Sequence, residues 1–569
     1  MSVLFLLWMA GCTGVSVDGG ADSLPVQARN GVVVSADERA SQVGIDVLRR
    51  GGNAIDAAVA TGFALAVVHP SAGNLGGGGF MVIRLSDGHR TTIDYREKAP
   101  AASTADMYLD ADGEALARLS REGYPASGVP GSPAGLLLAH AEYGRLPLAD
   151  VLAPAIRLAE DGFRLSGALA ASLNVRYDEF SDFESTRKYF TKENGRYASG
   201  ELFVQEDLAD VLRRIRDGGR DGFYTGRTAE FIVAEMERGG GLITLDDLAA
   251  YEAVERAPVV STYRDHRIVS MPPPSSGGVA LAQLLNAVEP YDVAAMGFLS
   301  AETVHLMGEA MRRVYADRAQ WLGDPDYFDV PVGALISKTY MQRRMETFDP
   351  QAAASSEDVT HGDPRGDPFG GESTETTHYS VVDADGNAVS TTTTINASYG
   401  SKVVVDGAGF FLNNEMDDFA VKPGVPNMYG LLGSEANAIE PGKRMLSSMT
   451  PTIVEDPDGD LLMVIGSPGG GRIITIVLQT ILNVVDHGMN VQQAVDAGRV
   501  HHQWRPDVLE MEPGALSSGV QDDLRRRGWS LEVDGPWGRA DGIVVRRGIG
   551  GAVLEGGADP RGEDVAVGY

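Results

Sequence analysis

A threonine-rich stretch holds the residue with the most evident chemical potential, in "GESTETTHYSVVD" at 371–383 and "STTTTIN" at 390–396. Threonine is common in strands because its branched Cβ suits a pleated surface. Thr376, however, stands where a polar segment meets a strand-like run, so the peptide bond before it is easily exposed. A cut at that bond would give Thr376 both a hydroxyl nucleophile and a free α-amine, whose pKa of about 8 makes it a usable base.

A hairpin brings a second threonine beside the first. Ala384-Asp385-Gly386 is a three-residue loop whose final glycine suits the left-handed position of a bulged turn. If Asp383 faces Asn387, facing positions sum to 770. Thr376 then lies opposite Thr394, with Cβ atoms about 5 Å apart. On spacing alone, a threonine pair that only stabilises a sheet is the commoner outcome. We expect the nearby His378 to be structural as well.

The elements that must position these threonines fall into two kinds. From about residue 36 to 325 the pattern is mostly helical, with apolar residues three and four apart. The segments that carry this pattern are "ASQVGIDVLRR", "AIDAAVATGFALAVV", "PAGLLLAHAEY" and "AETVHLMGEAMRRVYADRAQWL". After the polar, glycine-rich segment 355–375, strand-like runs dominate. These are "HYSVVD", "NAVSTTTTI", "SKVVV" and "LLMVIGS", followed by a predicted helix in "RIITIVLQTILNVVDHG". Two domains or one layered body both fit this order.

The bulk composition narrows the class of protein. The chain has 569 residues, 43% of them hydrophobic, which is ample for one large core or two. The formal net charge of -31 argues against broad nucleic-acid binding, because such a surface repels phosphates. Cys12 is the sole cysteine, which rules out an internal disulfide and a thiolate metal cluster. We expect no metal and no cofactor.

The N-terminus has the pattern of an export signal. "VLFLLWMAGC" is too short to span a bilayer as a helix, and its end, Met9-Ala10-Gly11-Cys12, resembles the bacterial lipobox. Residues 1–12 are therefore interpreted as a signal peptide ending at a lipidated Cys12, and 13–26 as a tether. The implied location is the bacterial periplasm or cell envelope. No Lys or Arg precedes the apolar run, as a lipobox signal would have, and the alternatives are an ordinary secretion signal or an unprocessed apolar N-terminus.

Several longer motifs resemble the γ-glutamyltranspeptidase family. They include "TTHYSVVDADGNAVSTTTTIN", "FFLNNEMDDFAV", "RMLSSMTPTIV", "GSPGGGRIITIVLQ", "GGNAIDAAVA", "NLGGGGFMV", "DYREKAPAAS" and "MPPPSSGG". The resemblance implies an N-terminal nucleophile hydrolase fold of the α/β class, with four layers in the order αββα. It also implies a precursor that cuts itself between Glu375 and Thr376. The large subunit would be 27–375 and the small, catalytic subunit 376–569, and the two would remain together as a heterodimer.

The resemblance also assigns roles to individual residues. Thr376 matches the family's nucleophile and Thr394 the threonine that orients it. The matched positions for binding a γ-glutamyl donor are Arg96, Ser447 and Ser448 at the α-carboxylate, Asn396, Glu415 and Asp418 at the α-ammonium, Gly469 and Gly470 as oxyanion hole, and Tyr429 in a lid. A guanidinium grips a carboxylate with two parallel hydrogen bonds, and glycine allows the backbone to approach a ligand closely.

The implied reaction is acyl transfer in two steps through a γ-glutamyl ester on Thr376. The donor would be glutathione or a related compound, and the acceptor water, an amino acid or a dipeptide. Two alternatives stay open, a cephalosporin (glutaryl) acylase on the same fold and a non-catalytic lipoprotein. "NLGGGGF" at 74–80 is expected to allow tight packing and not to bind a nucleotide, since no Walker lysine is present. His501 and His502, with no carboxylate near them in sequence, are expected to be structural.

Overall fold

A computed structural model of the chain describes residues 23–192, 195–364, 376–422, 425–428, 430 and 434–569. Three positions singled out by the sequence, Cys12, Glu375 and Tyr429, lie outside the described residues. Within the described part, no helix is long and apolar enough to cross a bilayer.

The described chain alternates between helices and short strands. The strands are β1 Val26–Ala28, β2 Gly31–Ser35, β3 Gly78–Arg84, β4 Arg90–Asp94, β5 Phe163–Arg164, β6 Leu202–Phe203, β7 Val254–Arg256, β8 Val259–Tyr263, β9 His266–Ser270, β10 Thr377–Asp383, β11 Ala388–Thr394, β12 Thr452–Glu455, β13 Leu461–Gly466, β14 Val500–His501, β15 Leu509–Met511, β16 Leu531–Val533, β17 Asp541–Gly548, β18 Gly551–Gly557 and β19 Val565–Gly568. The helices are α1 Glu38–Arg49, α2 Ala54–Val68, α3 Ala117–Arg121, α4 Ser132–Tyr143, α5 Leu148–Glu160, α6 Gly167–Val175, α7 Tyr177–Ser181, α8 Glu184–Phe190, α9 Glu206–Gly218, α10 Asp221–Tyr224, α11 Gly226–Gly239, α12 Leu245–Ala249, α13 Gly277–Val288, α14 Val293–Met296, α15 Ala301–Trp321, α16 Val332–Leu335, α17 Lys338–Met345, α18 Arg472–Val485, α19 Val491–Asp496 and α20 Ser518–Arg526.

Two seven-stranded sheets form the centre of the fold. The first, in the order β1-β18-β17-β13-β12-β9-β8, and the second, in the order β19-β2-β10-β11-β3-β4-β7, both contain strands from before and after position 376. The pairings within both sheets are antiparallel. The helix-rich and strand-rich parts of the sequence therefore build one interleaved body, which decides between the two arrangements that the sequence left open.

Each sheet is buried on both faces, which produces four layers. Val33 of β2 and Val381 of β10 pack with α1 and α2 in one core, whereas Met463 of β13 packs with α13, α15 and α18 in another. A third, smaller cluster lies between the sheets and includes Val382 and Ile543. Because successive side chains of a strand point to opposite faces, each strand serves a helix-covered core and the inter-sheet core at once. The predicted αββα order is confirmed.

The helices predicted from periodicity begin and end within a few residues of the expected positions. α2 is capped by Asn53, whose side chain accepts the backbone N–H groups of Ile55 and Asp56. Such a cap satisfies donors that a helix otherwise leaves unpaired. α18 follows the glycine cluster at 469–471, as the sequence predicted.

One predicted strand and one predicted boundary are wrong. "SKVVV" at 401–405 is not a strand, because the chain bends through left-handed conformations at Tyr399 and Lys402 (φ 63° and 68°) just before the valines. Those valines are buried in a helix-side core, and they pair through the isolated bridge of Val404 to Phe411 instead of a strand ladder. Val26, assigned to the tether, is the first residue of β1 and pairs with Gly556.

Candidate active site

The β10–β11 hairpin has the register predicted from its turn. Asp383 N–H donates to Asn387 O at 3.1 Å, Gly386 has a φ of 85°, and the ladder runs to Thr377 opposite Thr393. One step further, Thr376 faces Thr394. Both are buried, with Thr376 7% and Thr394 1% exposed.

Strand parity directs both side chains into the space between the sheets. Val382 of β10 and Ala388 of β11 belong to the inter-sheet core, and Thr376 and Thr394 are an even number of residues away from them. The hydroxyl of Thr394 accepts the backbone N–H of Asn396 at 2.7 Å, which fixes its orientation.

The two threonines belong to a row of residues that crosses four strands. Thr394 faces Gly78 of β3, and Gly79 exchanges two backbone hydrogen bonds with Tyr95, so Gly78 lies opposite Arg96. Neighbouring strands lie about 4.8 Å apart, so Thr376 and Arg96 are separated by roughly 14 Å at the backbone. Gly78 keeps this row open, because a Cβ there would lie 2.5 Å from Glu97 Oε2.

The glycine run at 74–80 packs closely against the backbone, as expected from the sequence. A Cβ on Gly77 would lie 2.0 Å from the carbonyl oxygen of Thr394. Asn74 ties this loop to the site, because its Nδ2 donates to Thr394 O at 2.8 Å and its Oδ1 accepts Ser132 Oγ at 2.8 Å. The run therefore holds β11 in place from one side.

His378 takes part in a buried hydrogen-bonded chain that joins the two sheets. Ser380 Oγ donates to the backbone oxygen of Asp541 at 3.0 Å, so it accepts from His378 Nε2 at 3.0 Å. His378 Nδ1 then accepts from Thr392 Oγ1 at 2.9 Å. Burial lowers the pKa of His378 to about 3, so the ring is neutral. These contacts agree with the structural role expected for His378.

Arg96 is completely buried at the centre of an ionic cluster. Its Nη1 donates to Glu415 Oε1 and its Nη2 to Asp418 Oδ2. Further donations reach the backbone oxygens of Met445 at 3.2 Å and Leu446 at 3.1 Å. The residue predicted to bind an anion and the two predicted to bind a cation are thus paired with one another.

The carboxyls around Arg96 share a single cation. Glu97 Oε2 also lies 3.5 Å from Arg96 Nη1. Burial raises the pKa of Glu97 to about 7 and holds the pKa of Glu415 well above its usual range, although Arg96 opposes both shifts. For Arg96, burial acts to lower the pKa, but Glu415 and Asp418 outweigh it and raise the pKa. One oxygen of Glu415 and one of Glu97 have no hydrogen-bond partner among the described residues.

Asn396 lies beside this cluster in a left-handed conformation, with a φ of 67°. Its Nδ2 donates to the backbone oxygen of Asn414 at 3.0 Å, and its Oδ1 is buried without a hydrogen-bond partner among the described residues. An unpaired buried amide oxygen is costly, so this atom is suited to accept a ligand's N–H group.

Ser447 and Ser448 follow the segment that Arg96 contacts. Ser447 N–H donates to Pro274 O at 3.0 Å, and Arg318 Nη2 donates to Ser448 Oγ at 2.7 Å. Arg318 also donates to Ser276 Oγ at 2.6 Å, so it joins this segment to the "MPPPSSGG" motif.

Gly469 and Gly470 form the turn between β13 and α18. Their φ angles, 130° and 65°, lie where only glycine is unstrained. The turn is held by Ser467 Oγ, which accepts the backbone N–H of Arg539 at 3.1 Å. Backbone N–H groups at the start of a helix are a favourable place for a developing negative charge.

The histidine pair is buried, and only the premise that no carboxylate lies near it is wrong. His501 Nδ1 contacts Thr475 Oγ1 at 2.9 Å, and burial holds its pKa well below the usual range. His502 does have a carboxylate neighbour, because the fold brings Asp507 to 3.1 Å from its Nε2. No group of three or more potential metal ligands occurs among the described residues.

Sequence reasoning missed Glu97, Asn74 and Arg318 as parts of the site. Glu97 adjoins Arg96 in "DYREKAP", so its sequence position was an available signal. Asn74 and Arg318 carry no local signal, since the site residues that they contact, Thr394 and Ser448, are 320 and 130 residues away in the chain.

Comparisons with known proteins found similarity along most of the chain. Residues 40–569 match the family model described as Gamma-glutamyltranspeptidase. The glutathione hydrolase proenzyme of Escherichia coli (strain K12) is 48% identical over 547 residues, covering 96% of this chain and 93% of that protein. The acylase ACY 1 proenzyme of Pseudomonas sp. (strain SE83) is 38% identical over 518 residues, covering 90% and 89%. The crystal structure of cephalosporin acylase from Bacillus halodurans superimposes with a TM-score of 0.86 at 28% identity and covers 99% of both chains.

Replacing Arg96 with glutamine should destabilise the protein. The carboxyls of Glu97, Glu415 and Asp418 would lose their cation, and breaking a buried ion pair costs about 3–5 kcal/mol. The folded-state pKa values of Glu97 and Glu415, already raised by burial, would rise further above those of the unfolded chain. The variant should therefore be most stable at low pH and lose stability as pH rises. Urea unfolding at pH 5.5 and 8 measures both effects.

Arg118→Gln is the matched control, because the side chain of Arg118 is 79% exposed beside Glu122. It should change the unfolding free energy by less than about 0.5 kcal/mol. An Arg96→Gln loss as small as that of the control would contradict the ionic cluster described here.

Proposed function

The chain belongs to the γ-glutamyltranspeptidase family, and from that membership we infer that it is a γ-glutamyl hydrolase and transferase acting on glutathione and related donors. Relatives named glutathione hydrolase proenzyme are 44–49% identical to it over most of their length. The assignment of individual residues within that reaction is our proposal.

The ion cluster of Arg96, Glu415 and Asp418 is the observation that carries the donor assignment. A γ-glutamyl donor ends in an α-carboxylate and an α-ammonium, and these charges mirror those of the cluster. The donor's α-carboxylate would bind the Arg96 guanidinium, and its α-ammonium would bind Glu415 and Asp418. Every buried charge then keeps a partner through the exchange, which avoids the cost of burying an isolated ion. Ser447, Ser448 and Asn396 would complete the polar end of the pocket.

Thr376 is proposed as the nucleophile, with its own α-amine as the base. After the preceding bond is cut, the amine takes the hydroxyl proton while Oγ1 attacks the γ-amide carbon. The same proton passes to the departing amine, leaving a γ-glutamyl ester on Thr376. Water or an acceptor amine then attacks the ester and restores the hydroxyl. Thr394 orients Oγ1 from the facing strand.

The backbone N–H groups of Gly469 and Gly470 are proposed to stabilise the oxyanion in both steps. Charge develops on the carbonyl oxygen as it becomes tetrahedral, and fixed donors in a water-poor site stabilise that charge strongly. Support comes from the burial of Ser467 and Gly470 and from the hydrogen bond that Arg539 N–H donates to Ser467 Oγ.

Cleavage between Glu375 and Thr376 is proposed to produce the large and small subunits, 27–375 and 376–569. Both sheets would hold the products together across the two chains, because β10 pairs with β2 and β11 with β3 in one sheet and β12 pairs with β9 in the other.

The purified protein should give two fragments on a denaturing gel, the smaller beginning Thr-Thr-His-Tyr on N-terminal sequencing. Thr376→Ala should leave one uncut chain without activity, because it removes the hydroxyl that attacks in both reactions. Thr394→Ala should slow both cutting and turnover.

Thr377→Ala provides the control, because Thr377 is equally buried but faces the helices. It should be cut and active. If the wild-type chain stays uncut, or the smaller fragment begins at another residue, Thr376 is not the nucleophile proposed here.

A γ-glutamyl donor and a glutaryl donor, which lacks the α-amine, distinguish this function from that of an acylase. Asp418→Asn should lower kcat/KM for a γ-glutamyl anilide by about 10- to 100-fold, since hydrogen bonds to charged groups contribute roughly 1.5–3 kcal/mol. Asp417→Asn should change little, because Asp417 contacts Ser120 and Arg121 instead. Wild-type protein that uses both donors equally well would favour the acylase.

We also propose that Cys12 anchors the exported protein to a bacterial membrane through a lipid. The wild type expressed in a Gram-negative host should partition with membranes, whereas Cys12→Ala should be soluble. Ser16→Ala, in the proposed tether, is the control and should behave like the wild type. A wild-type protein that is soluble without detergent would contradict the anchor.

A further inference from the structure

Two buried carboxyls face each other between the sheets, behind the turn that holds Gly469 and Gly470. Asp541 begins β17, is fully buried, and lies opposite Gly466, the last residue of β13. Asp564 directly precedes β19, and its side chain is 1% exposed. By strand parity both side chains point into the space between the sheets, because Ile543 of β17 and Ala566 of β19 pack there. After burial, Asp564 is the neighbour that raises the pKa of Asp541 most.

Among the described residues, Arg539 is the cation whose contact with this pair is established. Arg539 Nη1 lies 3.5 Å from Asp564 Oδ2, and its Nη2 is 3.4 Å from His69 Nε2. Burial, reinforced by Arg539, lowers the pKa of His69 to about 3, so that ring is neutral. The remaining facing acid, Asp559, is occupied by other partners, namely Arg499, Arg561 and the backbone N–H of Ala540.

The unpaired oxygens of Asp541 among the described residues indicate that this pair of carboxyls holds a proton. Neither oxygen of Asp541 has a hydrogen-bond donor among the described residues when the group is written as a carboxylate. Two buried carboxylates side by side repel each other, and a shared proton turns that repulsion into a hydrogen bond. Burial, followed by the neighbouring Asp564, accordingly holds the pKa of Asp541 well above its usual range.

The segment that carries Asp541 supports the catalytic turn directly. Arg539 N–H donates to Ser467 Oγ, and a Cβ on Gly538 would lie 2.8 Å from Pro468 O and 2.3 Å from the side chain of Ile476. The backbone oxygen of Asp541 accepts Ser380 Oγ from β10, the strand that begins beside Thr376. A shift of this segment would therefore move both the oxyanion donors and the nucleophile strand.

We propose that Asp541 and Asp564 are positioning residues for the acyl transfer, which by sharing one proton lock segment 538–541 against the turn bearing Gly469 and Gly470. The inference rests on the proposed function. The pair touches neither the donor nor the reacting atoms, so its effect should fall on kcat and leave KM nearly unchanged.

The pair also gives the site an alkaline limit. Because the folded-state pKa is raised, the stability contributed by the shared proton is complete at low pH and is lost as pH rises through that pKa. The facing groups are Arg539, His69, Asp559 and, through Ser380, His378. The two histidines are neutral, and Asp559 is held by its own arginines, so none of these three replaces the lost proton. Arg539, 3.5 Å from Asp564, is an arginine and stays charged, so it adds no new charge when the proton leaves.

Asparagine at position 541 separates hydrogen bonding from titration. Asp541→Asn can donate an amide hydrogen to Asp564 without a removable proton. At neutral pH its kcat should stay within about twofold of the wild type. The pH at which kcat and the thermal midpoint fall on the alkaline side should rise by at least about one unit. Asp541→Ala should lower kcat at least about tenfold with KM within about twofold.

Glu455→Gln is the matched control. Glu455 is a buried carboxyl at the opposite end of the same sheet, held by Arg84, Arg90 and Arg267. Its variant should lower the thermal midpoint without moving the alkaline fall of kcat.

An Asp541→Asn variant with the wild-type alkaline fall in both readouts would overturn the inference, as would an unchanged kcat in Asp541→Ala. Absence of γ-glutamyl activity in the wild type counts instead against the proposed function. In that case the dependence of the thermal midpoint on pH in wild type and Asp541→Asn still decides whether the proton is shared.

Discussion

The carboxylate of Asp383 sets the register on which the rest of the site depends. Its Oδ1 accepts the backbone N–H groups of Asp385 and Asn387, which closes the β10–β11 turn. Its Oδ2 accepts the N–H of Ala54 at the start of α2, so the turn is also docked to the helix layer. A slip of one residue would reverse every side chain of the strand and send Thr376 toward the helices. The Asp383 carboxylate thus fixes the register of β10 and the face to which Thr376, about seven residues earlier, points.

The donor pocket combines strong attraction with a high cost of desolvation. Arg96 is removed from water, and the carboxyls around it repel one another as well as attract it. Such a cluster contributes little net stability, because desolvation offsets much of the Coulomb energy. Its value lies in selectivity. A ligand that brings only one of the two complementary charges leaves a buried partner unmatched, and that penalty is larger than the gain from any single contact.

Local patterns made the hairpin and several helices predictable, whereas contacts between distant segments could not be read from the sequence. The Asp-Gly turn and the alternation of β10 depend on neighbours, so the facing of Thr376 and Thr394 followed directly. The valines at 401–405 were misassigned because buried β-branched residues look alike in a strand and in a bent segment. His502 meets Asp507, and Asp541 meets Asp564, only because loops fold back. His502 and Asp507 are only five residues apart and could have been noticed. The spacing of Asp541 and Asp564 matches no recognisable pattern.

Because strands from both sides of position 376 interleave in the sheets, the chain must fold before it is cut at that position. In the uncut chain, β2 and β10 are joined covalently, so their pairing is a loop closure whose entropic cost rises only slowly with length. In a cut molecule the same pairing would be a meeting of two separate chains, each carrying sheet strands with exposed edges. The effective concentration supplied by the covalent link would be gone. The mature form would then be kinetically stable: it would persist because it unfolds slowly. Once separated, its two subunits would not easily refold together.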